Sequence, residues 1–271
     1  MAFKADLHTH TFYSDGKLSP SDLIARALQK GLQAICMTDH DTIEGYRHLP
    51  SITDSFFLGT GVEFSAFFRN KSVHILGYDI DLLDDQLLSF CLRHKKRRDD
   101  RNREIVQKLN SLGFFLDMND LEANHMPGRL HIAEAMVRKG YVQTTKQAFD
   151  QYIGNDKLCY AKGPLFEAEE TISVIKKAGG KAFLAHPYCY EGKNWLKRLL
   201  ELPFDGIECY YGNMLPAKEK KWLDLAKDRN MLISGGSDFH DPNYSYIDLG
   251  SSWVSEELFF NIFEKNVIRF S

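Results

Sequence analysis

The sequence predicts an α/β protein, and three observations predict it. Short apolar runs recur along the 271 residues, stretches of helical period lie between several of them, and Gly or Pro punctuates the junctions. Strands alternating with helices imply a mainly parallel sheet or a barrel. With 44% apolar and 26% charged residues, the chain has ample material for a core.

In chain order, an opening strand carries Asp6, His8 and His10. Further buried strands are expected at Ala34–Thr38, Phe56–Gly59, Ser72–Gly77, Ala182–Ala185, Gly206–Cys209 and Met231–Ser234. A helix over Ser21–Lys30 follows the start signal Ser19-Pro20 and stops at Gly31. A second, Glu167–Lys177, ends at Gly179-Gly180, and a third, Pro216–Arg229, opens with proline. From 82 to 163 the pattern changes to helices without clear strands. Residues 1–81 and 164–271 are therefore expected to form the main catalytic domain, with 82–163 a helical insertion that caps it or recognises substrate.

A net charge of −3 excludes a global polyanion trap, so any nucleic-acid contact must come from a local basic patch. Five scattered cysteines, with no C-x-x-C pair, argue against a disulfide framework or a zinc finger and fit a reducing cytoplasm. No apolar run approaches the roughly 18 residues of a membrane span. The first residues lead straight into Asp6-Leu7-His8-Thr9-His10, leaving no room for a signal peptide. The expectation is a cytoplasmic protein with no membrane and no evident obligate protein partner.

Of ten histidines, six fall at strand ends beside carboxylates. His8 and His10 share one strand face, so both imidazoles can converge on one ion. Asp238 and His240 repeat that spacing late in the chain. Between them come Asp15, His40, Glu63, His74 and His186. Singly, each has a plainer explanation: His74 as a core histidine, Glu63 as a turn cap, Asp15-Gly16 as an ordinary turn. Jointly, nine such residues at successive strand ends are hard to credit to packing. Buried without a cation they would carry an unmet desolvation cost. Imidazole and carboxylate without thiolate suit divalent Zn, Mn or Fe. Asp6, Asp39 and Asp41 flank the histidines and are expected to orient them by accepting the other ring N–H.

These residues resemble the PHP (polymerase and histidinol phosphatase) phosphoesterases. The matching motifs are Asp6-Leu7-His8-Thr9-His10 with Ser14-Asp15-Gly16, Thr38-Asp39-His40-Asp41, Gly61-Val62-Glu63, His74, Ala185-His186-Pro187, Gly206-Ile207-Glu208 and Gly235-Gly236-Ser237-Asp238-Phe239-His240. The resemblance implies a distorted barrel of about seven strands, rather than eight, and a site for three divalent metals. His8, His10, Glu63 and Asp238 would hold one, Asp15, His40 and His240 a second, and Glu63, His74 and His186 a third, with Glu63 bridging.

Within the family the chain looks most like nucleoside 3′,5′-bisphosphate phosphatases and 5′–3′ exoribonucleases. The pointer is Gly128-Arg129-Leu130-His131-Ile132-Ala133, where Leu130 stands in place of a usual proline. Arg129, His131, Lys162 and Arg101 are the substrate-facing candidates that this resemblance supplies. The implied reaction is hydrolysis of a phosphate ester on a nucleotide or a short 5′-phosphorylated RNA end. Clustered cations would lower the pKa of a bound water towards about 7 and neutralise charge on the phosphate. His240, His131 or a metal-bound water could protonate the leaving oxygen, and Arg129 offers a planar fork for a second phosphate.

The run Arg93–Arg103 is the most basic segment; its alternating charges suggest a mainly solvated helix face, while the family resemblance implies that one or two members, Arg101 among them, turn into the cleft. Aromatics in the insertion, such as Phe114, Phe115 and Tyr141, are sparse for a nucleic-acid track, which favours a small nucleotide or an RNA end. Three rivals stand beside this reading: an amidohydrolase cleaving C–N bonds, a histidinol-phosphate phosphatase, and a non-catalytic nucleotide- or RNA-binding protein.

Overall fold

The computed structural model describes residues 2–51, 55–121, 126–212, 214–243 and 247–270. In chain order the main elements are β1 (Ala5–Thr9), α1 (Pro20–Gln29), β2 (Ala34–Met37), β3 (Phe56–Gly59), β4 (Gly61–Phe68), β5 (Lys71–Tyr78), α2 (Asp85–Ser111), α3 (Arg129–Arg138) and α4 (Thr145–Ala148). There follow α5 (Ala168–Lys177), β6 (Lys181–Leu184), α6 (Leu196–Leu199), β7 (Gly206–Tyr211), α7 (Pro216–Asp228), β8 (Leu232–Gly236), α8 (Glu256–Ile262) and β9 (Val267–Phe270).

Nine strands form two sheets among the described residues, ordered β1-β2-β3-β9 and β4-β5-β6-β7-β8. They meet at two seams. At one seam the Asp238 N–H donates to the His8 carbonyl and the His10 N–H to that of Phe239; at the other, the Asp41 N–H donates to the Glu63 carbonyl. The α/β alternation expected from sequence is present, but the sheets are not mainly parallel throughout: β4, β5 and β6 pair antiparallel. The reason is a tight hairpin whose turn residues, Arg69 and Asn70, both adopt left-handed φ, of 50° and 65°. Strand β4 alternates in sequence, with Val62, Phe64 and Ala66 apolar and Glu63 and Ser65 polar between them, but Glu63 right after Gly59-Thr60-Gly61 reads equally as a turn acid; in the fold both faces are buried.

The helices dock by their apolar faces. In α1, Ser19 accepts a hydrogen bond from the Asp22 N–H, Pro20 occupies the first turn, and Leu23, Ile24 and Ala27 are buried. Helix α5 presents Ile172 and Ile175 to the core that includes β4 and β5. Residues 105–161 contain a hydrophobic cluster of their own, built from α2, α3 and α4. The 27-residue α2 belongs to both cores. Leu87, Phe90 and Cys91 in its first turns pack on the main core, while Ile105, Val106 and Leu109 in its last turns pack on the second.

Close approach of β8 to β1 sets the position of the later motif. A Cβ on Gly236 would collide with the backbone nitrogen and Cβ of His8. Replacing Gly236 with Ala should therefore force β8 off β1, destabilising the fold by about 1–3 kcal/mol and displacing Asp238. Thermal unfolding followed by circular dichroism, with metal analysis of the same sample, checks this. An unchanged melting temperature together with full metal content would contradict it.

Candidate metal centre

The structure brings together all nine of the sequence-selected donors. His8 lies on β1, His10 just beyond it, and Asp15 in the loop that follows. His40 follows β2, His186 follows β6, and Asp238 and His240 follow β8. His74, which sits inside its strand, reaches the same place because β5 runs antiparallel to its neighbours. Donor atoms of His8, His10, Glu63 and Asp238 all lie within 4.8 Å of one another, as do those of His10, Asp15, His40 and His240, and those of His40, Glu63 and His74. His186 Nε2 joins the last group, 3.0 Å from Glu63 Oε1 and 3.2 Å from His74 Nδ1.

The donors suit divalent cations. Asp15 Oδ1 and His40 Nδ1 are buried without a well-aligned hydrogen bond, although His240 Nε2 comes within 3.2 Å of the first and Glu63 Oε2 within 3.1 Å of the second. Nitrogen and oxygen donors without thiolate favour Mn, Zn or Fe over a soft thiophilic ion. Burial disfavours charge on Glu63, yet His40, His74 and His8 hold its carboxyl well below the usual range. The same holds for Asp238, through His8 above all, and for Asp15, through His40 and His240. Burial also opposes charge on His240, but Asp15 and Asp238 overcome it and push that imidazole up to about 10. Charge is thus already paired here, so an incoming cation competes with protons for the same atoms.

The acids around the donors act differently from the sequence expectation. Asp6 accepts from the Ser237 N–H and hydroxyl and from the Gly250 N–H, so it ties loops together instead of orienting an imidazole. Asp39 holds Thr11 and Ser14, at 2.6–2.7 Å. Asp41 accepts from Arg98 Nε (2.6 Å) and the Ser65 N–H (2.7 Å), and the imidazole it faces, at 3.1 Å, is that of His94 on α2, outside the donor set. The imidazole partner is Glu208, whose Oε1 takes His8 Nδ1 at 2.8 Å while its Oε2 accepts the His186 N–H at 2.7 Å. His8 Nε2 is thereby aimed at Glu63 and Asp238. The available sequence signal was an acid inside a strand otherwise fit for burial. Asp41, His186 and Asp238 all have positive φ, of 61°, 29° and 57°, backbone strain of about 1–3 kcal/mol each that surrounding contacts must hold.

Beside the donors lies a basic recess of about 180 Å³. Asp15, His40 and His74 form its metal-side wall, and Arg97, Arg98, Arg101, Arg129 and Lys162 supply five cations. Arg129 opens α3, donates to Asn155 Oδ1 (2.9 Å) and lies over the Phe149 and Tyr160 rings. Lys162 lies over Phe67. Arg97 Nε and Nη1 and Arg101 Nε are buried with no hydrogen-bond partner. Burial and neighbouring guanidiniums lower the pKa of Arg101. The expectation of a mainly solvated basic run thus needs correction: Arg93, Lys95, Lys96 and Arg103 are exposed, but Arg97 and Arg98 are turned inward with Arg101. Phe114, Phe115 and Tyr141 do not line this recess; Phe67, Phe149 and Tyr160 do.

His131 is 5% exposed, and its Nδ1 accepts the Gly128 N–H at 3.0 Å. Burial lowers its pKa, so the ring is neutral with its proton on Nε2. His240 donates from Nδ1 to the Asp238 carbonyl (2.9 Å), leaving Nε2 facing Asp15 at 3.2 Å.

Comparison with known proteins falls in line with this geometry. Residues 6–186 match the PHP domain, and the chain belongs to that family of metal-dependent phosphoesterases. It is a hydrolase. A 5′-3′ exoribonuclease of Haemophilus influenzae is 32% identical, covering 93% of this chain and 95% of its own. A 3′,5′-nucleoside bisphosphate phosphatase of Chromobacterium violaceum is 30% identical, covering 90% of each. A solved structure assigned as a metal-dependent phosphoesterase, from Bifidobacterium adolescentis, has a TM-score of 0.82 at 26% identity over 95% of this chain and 94% of its own. A Chromobacterium violaceum structure named an amidohydrolase, with bound sulfate, has the same score and identity over 98% and 97%. Among the described residues no helix is long and apolar enough to cross a membrane.

Removing the Glu208 carboxylate by Glu208→Gln should free the His8 ring and weaken metal binding about 10- to 100-fold, the usual effect of losing a ligand's hydrogen-bonding partner. Manganese titration by isothermal calorimetry reads it. Wild-type affinity in the variant would contradict the orienting role.

Proposed function

We propose that this chain hydrolyses the 3′ phosphate ester of ribonucleotides that also carry a 5′ phosphate: nucleoside 3′,5′-bisphosphates and short 5′-phosphorylated RNA ends. The carrying observation is the basic recess, where unpartnered, buried guanidinium N–H groups adjoin the metal-type donors. Such donors call for an oxyanion, and a second phosphate beside the scissile one supplies it. The names of the exoribonuclease and phosphatase relatives support the same substrate class.

The nine donors would hold up to three divalent ions in the grouping given by family resemblance, Glu63 being shared. When bound, such ions activate water and neutralise phosphate charge. The remaining work falls to side chains. Arg129, Arg101 and Lys162 bind the 5′ phosphate, with Arg97 closing the same wall. Arg98, tied to Asp41, holds that wall to the strand end carrying Glu63. His131 offers an Nε2–H donor to the leaving 3′ oxygen. His240 serves as a ligand through Nε2, which would exchange its proton for the cation, and its Nδ1–H is spent on a backbone carbonyl. Taking β3 and β4 as one strand bent at Thr60, we read β1, β2, β3/β4, β5, β6, β7 and β8 as the staves of a distorted barrel of seven. Residues 82–163 serve as its substrate-recognition lobe.

A histidinol-phosphate phosphatase would have no use for five cations around one recess, and an amidohydrolase would have none for a diphosphorylated ligand. The test supplies manganese-loaded protein with adenosine 3′,5′-bisphosphate, 5′-phosphorylated RNA oligomers and histidinol phosphate, following free phosphate and oligomer length. The first two should be consumed and the third spared, and Arg129→Ala should cut kcat/KM on the bisphosphate about 10- to 100-fold, the loss of one charge-assisted phosphate contact. Consumption of histidinol phosphate alone, or an Arg129→Ala variant with unaltered kinetics, would overturn the assignment.

A further inference from the structure

The metal-type donors border not one recess but two. The second has a volume of about 290 Å³ and is lined by Asp15, Leu130, Tyr211, Asp238, His240, Asp241 and Ile247. Asp15 and Leu130 line both recesses, so the donors stand at a waist between them. Their chemistry differs sharply. The first has five Lys or Arg side chains; the described lining of the second has none. Apart from metal-type donors and Asp241, it offers a tyrosine and two aliphatic side chains. It is therefore unsuited to a free phosphate and suited to an uncharged, flat group.

Tyr211 is fixed there. Its hydroxyl donates to Asp238 Oδ2 at 2.9 Å, and its ring packs against that of Tyr188 with centroids 4.5 Å apart. Both side chains are half-buried. A ring held at its hydroxyl end and along one side loses little freedom when a base settles against it, and base–aromatic stacking is the usual sequence-tolerant way to hold single-stranded RNA.

We propose that the second recess receives the nucleotide downstream of the scissile phosphate, with Tyr211, backed by Tyr188, as the surface on which its base stacks. The inference rests on the reading that the 5′ phosphate enters the basic recess. On that reading one reaction serves both substrates. Water oxygen bonds to the phosphorus, the P–O3′ bond breaks, and its electron pair leaves on O3′, which takes up a proton. With a bisphosphate, the phosphorus carries no further ester and inorganic phosphate is released. With RNA, the same phosphorus bears the downstream 5′ oxygen, so the shortened RNA keeps a 5′ phosphate and is ready for another round. The second recess decides only whether that extra substituent is accommodated.

The test compares adenosine 3′,5′-bisphosphate with the 5′-phosphorylated diadenosine dinucleotide on wild-type, Tyr211→Phe, Tyr211→Ala, Tyr188→Ala and Ile247→Trp protein loaded with manganese. For Tyr211→Ala and Ile247→Trp, the ratio of kcat/KM on dinucleotide to that on bisphosphate should fall about tenfold or more, the size of one stacking contact. Tyr211→Phe keeps the ring and should keep the ratio, and Tyr188→Ala should lower it less than Tyr211→Ala. Binding of an uncleavable dinucleotide, with methylene replacing the scissile 3′ oxygen, should weaken in parallel by calorimetry. Unchanged ratios in Tyr211→Ala and Ile247→Trp would overturn the proposal, as would wild-type protein that consumes the bisphosphate but not the dinucleotide. If wild-type protein consumes neither, the substrate reading itself fails as well.

Discussion

Glu63 is 1% exposed, and its two oxygens lie within 3.3 Å of ring nitrogens from His8, His10, His40, His74 and His186. A buried carboxylate among five imidazoles must be neutralised by protons or by cations, since neither charge nor lone pairs can turn to water. Much of the architecture follows from delivering those groups to one point. Parallel strands bring His8, His186 and Asp238 by their C-terminal ends. The antiparallel hairpin brings His74 from the opposite direction, and β4, starting just past Thr60, places Glu63 between them. Strained backbone at His186 and Asp238 marks where the chain bends to complete that convergence.

Opposite charges are segregated around this centre. Acids and imidazoles fill the sheet end, while the guanidiniums stand on the neighbouring wall, contributed mainly by α2 and α3. Asp41 crosses between the two: its backbone N–H pairs with Glu63, and its buried carboxylate pairs with Arg98. Breaking a buried pair of this kind by removing one partner typically costs about 3–5 kcal/mol, so this carboxylate couples α2 to the donor cluster. A phosphate lying between cations on one side and guanidiniums on the other would have its charge met from both.

Most of the donor set was legible in the sequence because it comes from side chains whose type and spacing betray them: His-x-His, Asp-x-His and histidines at strand ends. What supports them was less legible. Asp6, Asp39 and Asp41 lie beside metal-type histidines in sequence but beside hydroxyls, backbone amides, Arg98 and the non-donor His94 in space, whereas Glu208 reaches His8 across 200 residues. In α2 the stripe Leu87, Phe90, Cys91, His94, Arg97, Arg98, Asn102, Ile105 keeps helical period throughout, yet its polar middle reads as a charge run. Following the period instead of the polarity would have turned Arg97 and Arg98 inward. Strand β4 does alternate over 62–66, but Glu63 at its start reads equally as a turn acid after Gly59-Thr60-Gly61, and without β4 the antiparallel hairpin that explains His74 is lost.

The central claim is that distant imidazoles and carboxylates meet around bound cations. It is met most directly by diffraction from crystals grown with manganese, recorded at the manganese edge. Anomalous peaks should lie among His8, His10, Asp15, His40, Glu63, His74, His186, Asp238 and His240, with Glu63 touching more than one. Fully formed crystals with no peak in that space under saturating manganese, or with those side chains facing apart, would contradict it.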